Sequence, residues 1–212
     1  MSIYPIVEGY GEVEAAPVLL RRLLEEAQCF NIDIGSPIRR TQSQLRSKQG
    51  IQVAVQLAML QPQCNAVIIL FDGEDVCPAT LAGQVLEWAT EVVAGRIACN
   101  VVIAYREYET WFLAAVESLR GKYGIRNDAV APAQPESCRD AKGALEGFMP
   151  HNRVYSETGD QPGMSALFDM GLAYKRNRSF RKMVKVVGDV LTNLNLLKGA
   201  WPPAQWLQER TP

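Results

Sequence analysis

Histidine is almost absent: His151 is the one histidine in 212 residues, so a histidine-rich transition-metal centre is excluded by inventory. It follows Pro150 in a loop-like stretch and is given no role. Five cysteines (Cys29, Cys64, Cys77, Cys99 and Cys138) are scattered without a C-x-x-C pair, which argues against a zinc knuckle or a disulfide framework. Reduced thiols in a reducing cytosol are the plain reading. A basic excess is missing as well. The formal net charge is −1, whereas a dedicated DNA-binding domain is usually basic. The start, MSIYPIVEGYGE, lacks the basic residues and apolar run of a signal peptide. No stretch approaches the ~20 uninterrupted apolar residues of a membrane helix. A soluble, cytoplasmic protein is the expectation.

What is present is an ordinary globular composition, 48% apolar and 21% charged. A chain of this size buries roughly 70% of its unfolded surface, so it needs no metal to fold, and any metal site is free to be functional. Apolar runs alternate with helical-period segments, the pattern of a mostly parallel sheet covered by helices. Strands are predicted at Ile3 to Val7, weakly at Asn31 to Arg39 across Gly35 and Pro37, at Ala66 to Phe71 and at Cys99 to Tyr105. Helices are predicted at Glu12 to Gln28, Gln49 to Leu60, Ala79 to Ala94 and from Trp111 to Leu119. After a loop at Lys122 to Ser137, further helices are expected at Cys138 to Phe148, Met164 to Ala173 and Ser179 to Leu191, before an irregular Pro- and Trp-rich tail. This gives an α/β core over residues 1–121, with a connecting loop and a helical part over 122–212 packed on the same domain.

In parallel α/β sheets, sites gather at the carboxyl ends of strands. Three strand ends carry acids here: Glu8 with Glu12, Asp72 with Glu74 and Asp75, and Glu107 with Glu109. Taken singly, each is as well explained as a helix cap or first-turn charge. Crowded at one edge, they raise each other's pKa unless a cation neutralises them. Oxygen-only ligands suit Mg²⁺ or Mn²⁺. Gly9 and Gly11 would let the backbone approach a phosphate or a metal closely. The turn is not G-x-G-x-x-G, since Glu14 stands at the last position, and no Walker A lysine follows. The common nucleotide-binding loops are therefore not expected.

The order Glu8-Gly9 with Glu12, then Asp72-x-Glu74 after a buried strand, resembles the TOPRIM domain of topoisomerases, DnaG-type primases and OLD-family nucleases. More narrowly, IVEGYGEVEAAPVLLRRLL, VIILFDGEDVCP, REYETWFLA and SALFDMGLAYKRNRSFRKMV resemble the DUF4276 family of small TOPRIM-like bacterial proteins. The resemblance implies a Rossmann-like TOPRIM fold. It implies Glu8 as general acid/base or metal ligand, and Asp72 and Glu74 as Mg²⁺ ligands. Glu12 and Glu109 would be further acids of the same site, and Tyr155, Lys142 and Arg153 polar neighbours. Glu74 departs from the family's second aspartate by one methylene, and Asp75 could share its task. FDGEDVCP also faintly resembles the motif of haloacid-dehalogenase-type phosphatases, but Glu74 stands at +2 and the strand is not the first.

The basic run Lys175 to Lys185 admits two readings. Arg176, Arg178 and Lys182 could contact phosphates, or form the solvated face of a helix that buries Phe180, Met183, Val184 and Val187. Trp88 and Trp111 read as core. The expected function is a Mg²⁺- or Mn²⁺-dependent nuclease acting on DNA or RNA. With no P-loop in the chain, the resemblance suggests an ABC- or AAA-type ATPase partner and a role in bacterial phage defence. The rival expectation is a non-catalytic binding module whose metal is structural.

Overall fold

The structure, a computed structural model, describes residues 1–208. Five strands form a parallel sheet: β1 (Ser2–Val7), β2 (Asp33–Ile34), β3 (Ile38–Arg39), β4 (Cys64–Asp72) and β5 (Ala98–Ala104). Its order is β2-β1-β4-β5, with β3 pairing β1 further along. The stretch read as one weak strand is thus two. Gly35 and Pro37 interrupt it, so β2 pairs with the start of β1 and β3 with its end.

The helices are α1 (Tyr10–Glu26), α2 (Gln42–Leu45), α3 (Lys48–Met59), α4 (Pro78–Val93), α5 (Thr110–Ala114), α6 (Ala141–Glu146), α7 (Glu157–Leu167), α8 (Met170–Arg176), α9 (Arg178–Asn193) and α10 (Ala204–Leu207). Two expected helices differ in form. The one begun at Trp111 is α5 followed by a short 3-10 turn, Val116–Leu119. The one expected at Met164 to Ala173 is two helices, because Phe168 is extended and the Asp169 carboxylate accepts from Leu172 N at 2.9 Å, starting α8 afresh. The tail holds α10 and the buried Trp206; its last four residues, 209–212, lie outside the described residues. No helix among the described residues is long and apolar enough to cross a membrane.

Strand residues alternate faces, and the central strands are buried on both, which explains their unbroken apolar runs. On one face Ile3, Val7, Ile68 and Leu70 pack with Leu19 and Leu23 of α1 and with Phe180, Met183 and Val187 of α9. On the other, Tyr4, Ile6, Val67, Ile69 and Phe71 pack with Ile51 and Val55 of α3 and Leu81 and Val85 of α4. The C-terminal helices thus share one apolar core with α1. At Gly11 a Cβ would lie 2.2 Å from Gln161 Oε1 and 2.8 Å from the Glu157 carbonyl oxygen, so α1 and α7 approach closely there.

This topology fixes where a ligand can sit. From β1 the chain runs to β2 and β3 on one side; from β4 it runs to β5 on the other. The connections diverge between β1 and β4, leaving a crevice at their carboxyl ends, the usual ligand position in such sheets.

Candidate functional site

Register brings the acids to that crevice. Val7 lies beside Leu70, so Glu8 follows level with Phe71, and Asp72 comes next on β4. Asp72 in turn pairs with Ala104 of β5. Beyond β5 the chain turns back, and Tyr108 N donates to Asp72 Oδ1 at 2.9 Å. That turn leads directly to Glu109, which is fully buried.

Glu109 is held by its neighbours in sequence and by helices from the C-terminal half. Two residues on, Trp111 is buried and donates from Nε1 to Ser179 Oγ at 2.8 Å. Ser179 reaches Asn177 Oδ1 at 2.8 Å, and Asn177 Nδ2 reaches Thr110 Oγ1 at 3.1 Å. This buried, satisfied network ties α5 to the start of α9. Trp111 also packs against Tyr108 at a tilt of 44° and meets Phe180 edge-on. Tyr155 Oη and Gln161 Nε2 both donate to Glu109 Oε1, at 2.9 Å and 3.2 Å, so α7 and the segment before it close over the site.

Glu12 is the fourth acid. It is buried in the first turn of α1, its side chain folded back over Gly9, where a Cβ would lie 2.1 Å from Glu12 Oε2. Gly9 is therefore required for close approach rather than for its backbone angles, since its φ is −85°. Burial pushes the Glu8 carboxyl up, and neighbouring Glu12 adds to the effect while Arg46 opposes it. Burial raises Asp72 well above the usual carboxylate range, reinforced by Glu109 and Glu12. Glu109 is raised to about 7, again chiefly by burial.

A lysine stands among them. Lys142, on α6, donates from Nζ to Glu157 Oε1 at 2.5 Å, and its backbone N donates to Glu107 Oε2 at 3.2 Å. Burial disfavours its charge, but Glu109, Glu157 and Asp72 outweigh burial and raise its pKa. Even so, Glu8 Oε2, Glu12 Oε2 and Glu109 Oε2 are buried without a hydrogen-bond partner in the protein, and so is Gln161 Oε1. An orphaned buried carboxylate oxygen is costly, and all-oxygen donors of this kind fit Mg²⁺ or Mn²⁺. As the side chains stand, no three acidic, histidine or cysteine residues among the described ones are arranged to hold a metal.

The other expected site residues sit elsewhere. Glu74 lies at the rim in the left-handed region, φ +50°, where a non-glycine residue is strained, and its carboxylate pairs with Arg46 at 3.2 Å and accepts from Gln42 at 2.9 Å. Asp75 pairs with Arg106 at 2.6 Å and Arg139 at 3.9 Å. Arg176 pairs with Glu117 and Arg178 with Glu136; Arg178 and Lys182 line a groove beside β5 with Asp75 and Tyr105. Arg153 pairs with Asp160 on α7. Gln161 and Arg46 carried no signal: each is a polar residue in a helix or its cap, and only packing aims it at the acids.

The family model described as a domain of unknown function, DUF4276, matches residues 7–187. No curated protein and no solved structure matches the chain.

Proposed function

The chain belongs to the DUF4276 family, and on that premise we propose that its acidic crevice is the centre of a Mg²⁺- or Mn²⁺-dependent, TOPRIM-type nuclease. The observation that carries the reading is the convergence of Glu8, Glu12, Asp72 and Glu109 at the sheet's switch point, three of them with a buried carboxylate oxygen that nothing in the protein satisfies. Glu8, Glu12, Asp72 and Glu109 would hold the ion, with Glu74 joining from the rim. A bound divalent ion supplies Lewis-acid polarisation and lowers the pKa of water.

The chain's own groups have separate tasks. Glu8, half-buried with its pKa raised, is placed to accept or return a proton at one carboxylate oxygen. Tyr155 and Gln161 fix the orientation of Glu109 by donating to the same oxygen. Lys142 offsets the acids' mutual repulsion before an ion or a phosphate arrives. Since the chain has no Walker A loop, an ABC- or AAA-type ATPase partner would supply nucleotide-driven steps, in the cytoplasm and in phage defence.

The test is cleavage of DNA and of RNA with Mg²⁺ or Mn²⁺ against EDTA, with the candidate ATPase and ATP present. Glu8→Gln keeps shape and hydrogen-bonding capacity, and should lower cleavage at least ~10²-fold if Glu8 acts in general acid/base catalysis. A wild-type complex that binds its partner but cuts neither nucleic acid supports the second reading, a binding module. One observation favours that rival: Lys142 already sets a positive charge near Glu109 and Asp72, while Glu74 and Asp75 are paired with arginines.

A further inference from the structure

From Ile34 to Phe71 the chain carries four basic residues, Arg39, Arg40, Arg46 and Lys48, and no acid. In a protein of net charge −1 this is a marked segregation, and the fold spends only half of it. Arg46 pairs with Glu74 and Lys48 with Glu91. Arg39 and Arg40 form no ion pair among the described residues, and Arg39 Nε is buried without a partner.

Register places this doublet beside the crevice. Arg39 ends β3 level with Val7, and Arg40 N donates to the Val7 carbonyl at 2.9 Å, next to Glu8. The Arg39 guanidinium lies over the ring of Tyr10, 3.7 Å from its centroid. Tyr10 opens α1 two residues after Glu8, and is 67% exposed. With one ring face under the guanidinium and so much of the side chain in solvent, the other face is open. Arg40 Nη1 donates to the Arg39 carbonyl at 3.0 Å, which holds its charge alongside; an exposed tyrosine with a cation behind it and a second arginine without an ion pair beside it is a stacking platform with a phosphate contact.

We infer that Tyr10, Arg39 and Arg40 form a binding subsite for a single-stranded polynucleotide at the mouth of the acidic crevice. A base stacks on the open face of Tyr10, and the flanking phosphates meet the two arginines. A duplex keeps its bases inside the stack, where the ring cannot reach them. The subsite rests on the nuclease reading only for its position relative to a reacting phosphate. Binding is measured apart from cleavage, so the two can fail separately.

The test is fluorescence anisotropy of the full chain with labelled oligo(dT), oligo(U) and a duplex of equal length, in CaCl₂. Tighter binding of the single strands is expected, and the two homopolymers separate DNA from RNA preference. Tyr10→Ala should weaken single-strand binding about ten-fold, as loss of one stacked base does, and leave duplex binding unchanged; Tyr10→Trp should retain it. Arg39→Gln with Arg40→Gln should lower the slope of log affinity against log salt by about 1.4, at roughly 0.7 per phosphate contact on a single strand. A 5-bromouracil oligonucleotide should photocrosslink at Tyr10. Equal or tighter duplex binding, no oligonucleotide binding, or Tyr10→Ala without effect while crosslinks map elsewhere, would each overturn the inference.

Discussion

Replacing Glu109 by glutamine tests the electrostatics of the crevice through stability, with no substrate needed. Burial raises the Glu109 carboxyl from 4.5 to about 7. Below pH 4.5 the group is protonated in both the folded and the unfolded chain, and stability is unaffected. Between 4.5 and 7 the unfolded chain releases a proton that the folded chain keeps, so stability falls as pH rises. Above 7 the loss is complete. At ~1.36 kcal/mol per pKa unit the full loss is roughly 3 kcal/mol; because Asp72 shares the same field, about 1–3 kcal/mol is expected.

Glutamine is neutral throughout and keeps an oxygen for Tyr155 and Gln161 to donate to. Its amide takes the place of the unpartnered Oε2, with the carboxyl groups of Glu12 and Asp72 close by. In EDTA, Glu109→Gln should therefore match wild type at pH 4.5 and melt roughly 3–10 °C higher at pH 8, at ~2–4 °C per kcal/mol for a chain of this length. Thermal melts followed by circular dichroism across that range measure it. A wild-type melting temperature as much below the variant's at pH 4.5 as at pH 8 would refute the reasoning, because the gain would then owe nothing to titration.

Further outcomes follow from the same geometry. Mn²⁺ should raise the melting temperature of wild type by mass action, more at pH 8 than at pH 5.5 because the ligands must be charged; Asp72→Asn should abolish the response, and an unchanged response would place the ion elsewhere. Lys142→Met should destabilise the metal-free protein at pH 8, and added Mn²⁺ should recover more stability than in wild type; calorimetric titration showing weaker Mn²⁺ binding would contradict a counter-ion role. Gly11→Ala should cost about 1–3 kcal/mol through overpacking against α7, checked by urea unfolding. Trp111→Ala should cost about 3–5 kcal/mol and also loosen Glu109, so the pH dependence above should shrink with it.

The chain's local chemistry determined the sheet's components and half of the site. The short apolar runs at β1, β4 and β5, bounded by turn or acidic residues, read as strands, and that of β4 is buried on both faces, since a strand with a solvated face alternates. Glu8, Asp72 and Glu109 were legible because each ends or follows such a run, and strand ends are where parallel sheets expose side chains. Gly9 was legible as a close approach, though its neighbour turned out to be the Glu12 carboxylate. What local pattern could not carry was partnership across the fold. Glu74 and Asp75 were legible as candidates, but not their partners: Glu74 has a left-handed backbone and pairs with Arg46, and Asp75 pairs with Arg106 and Arg139, all from distant segments. Lys142, Tyr155 and Gln161 reach the acids only because α6, α7 and the segment between them pack over α1 and α5. The pKa of Glu109 depends on that closure, because desolvation is a property of everything surrounding a group, not of the residues beside it in the chain.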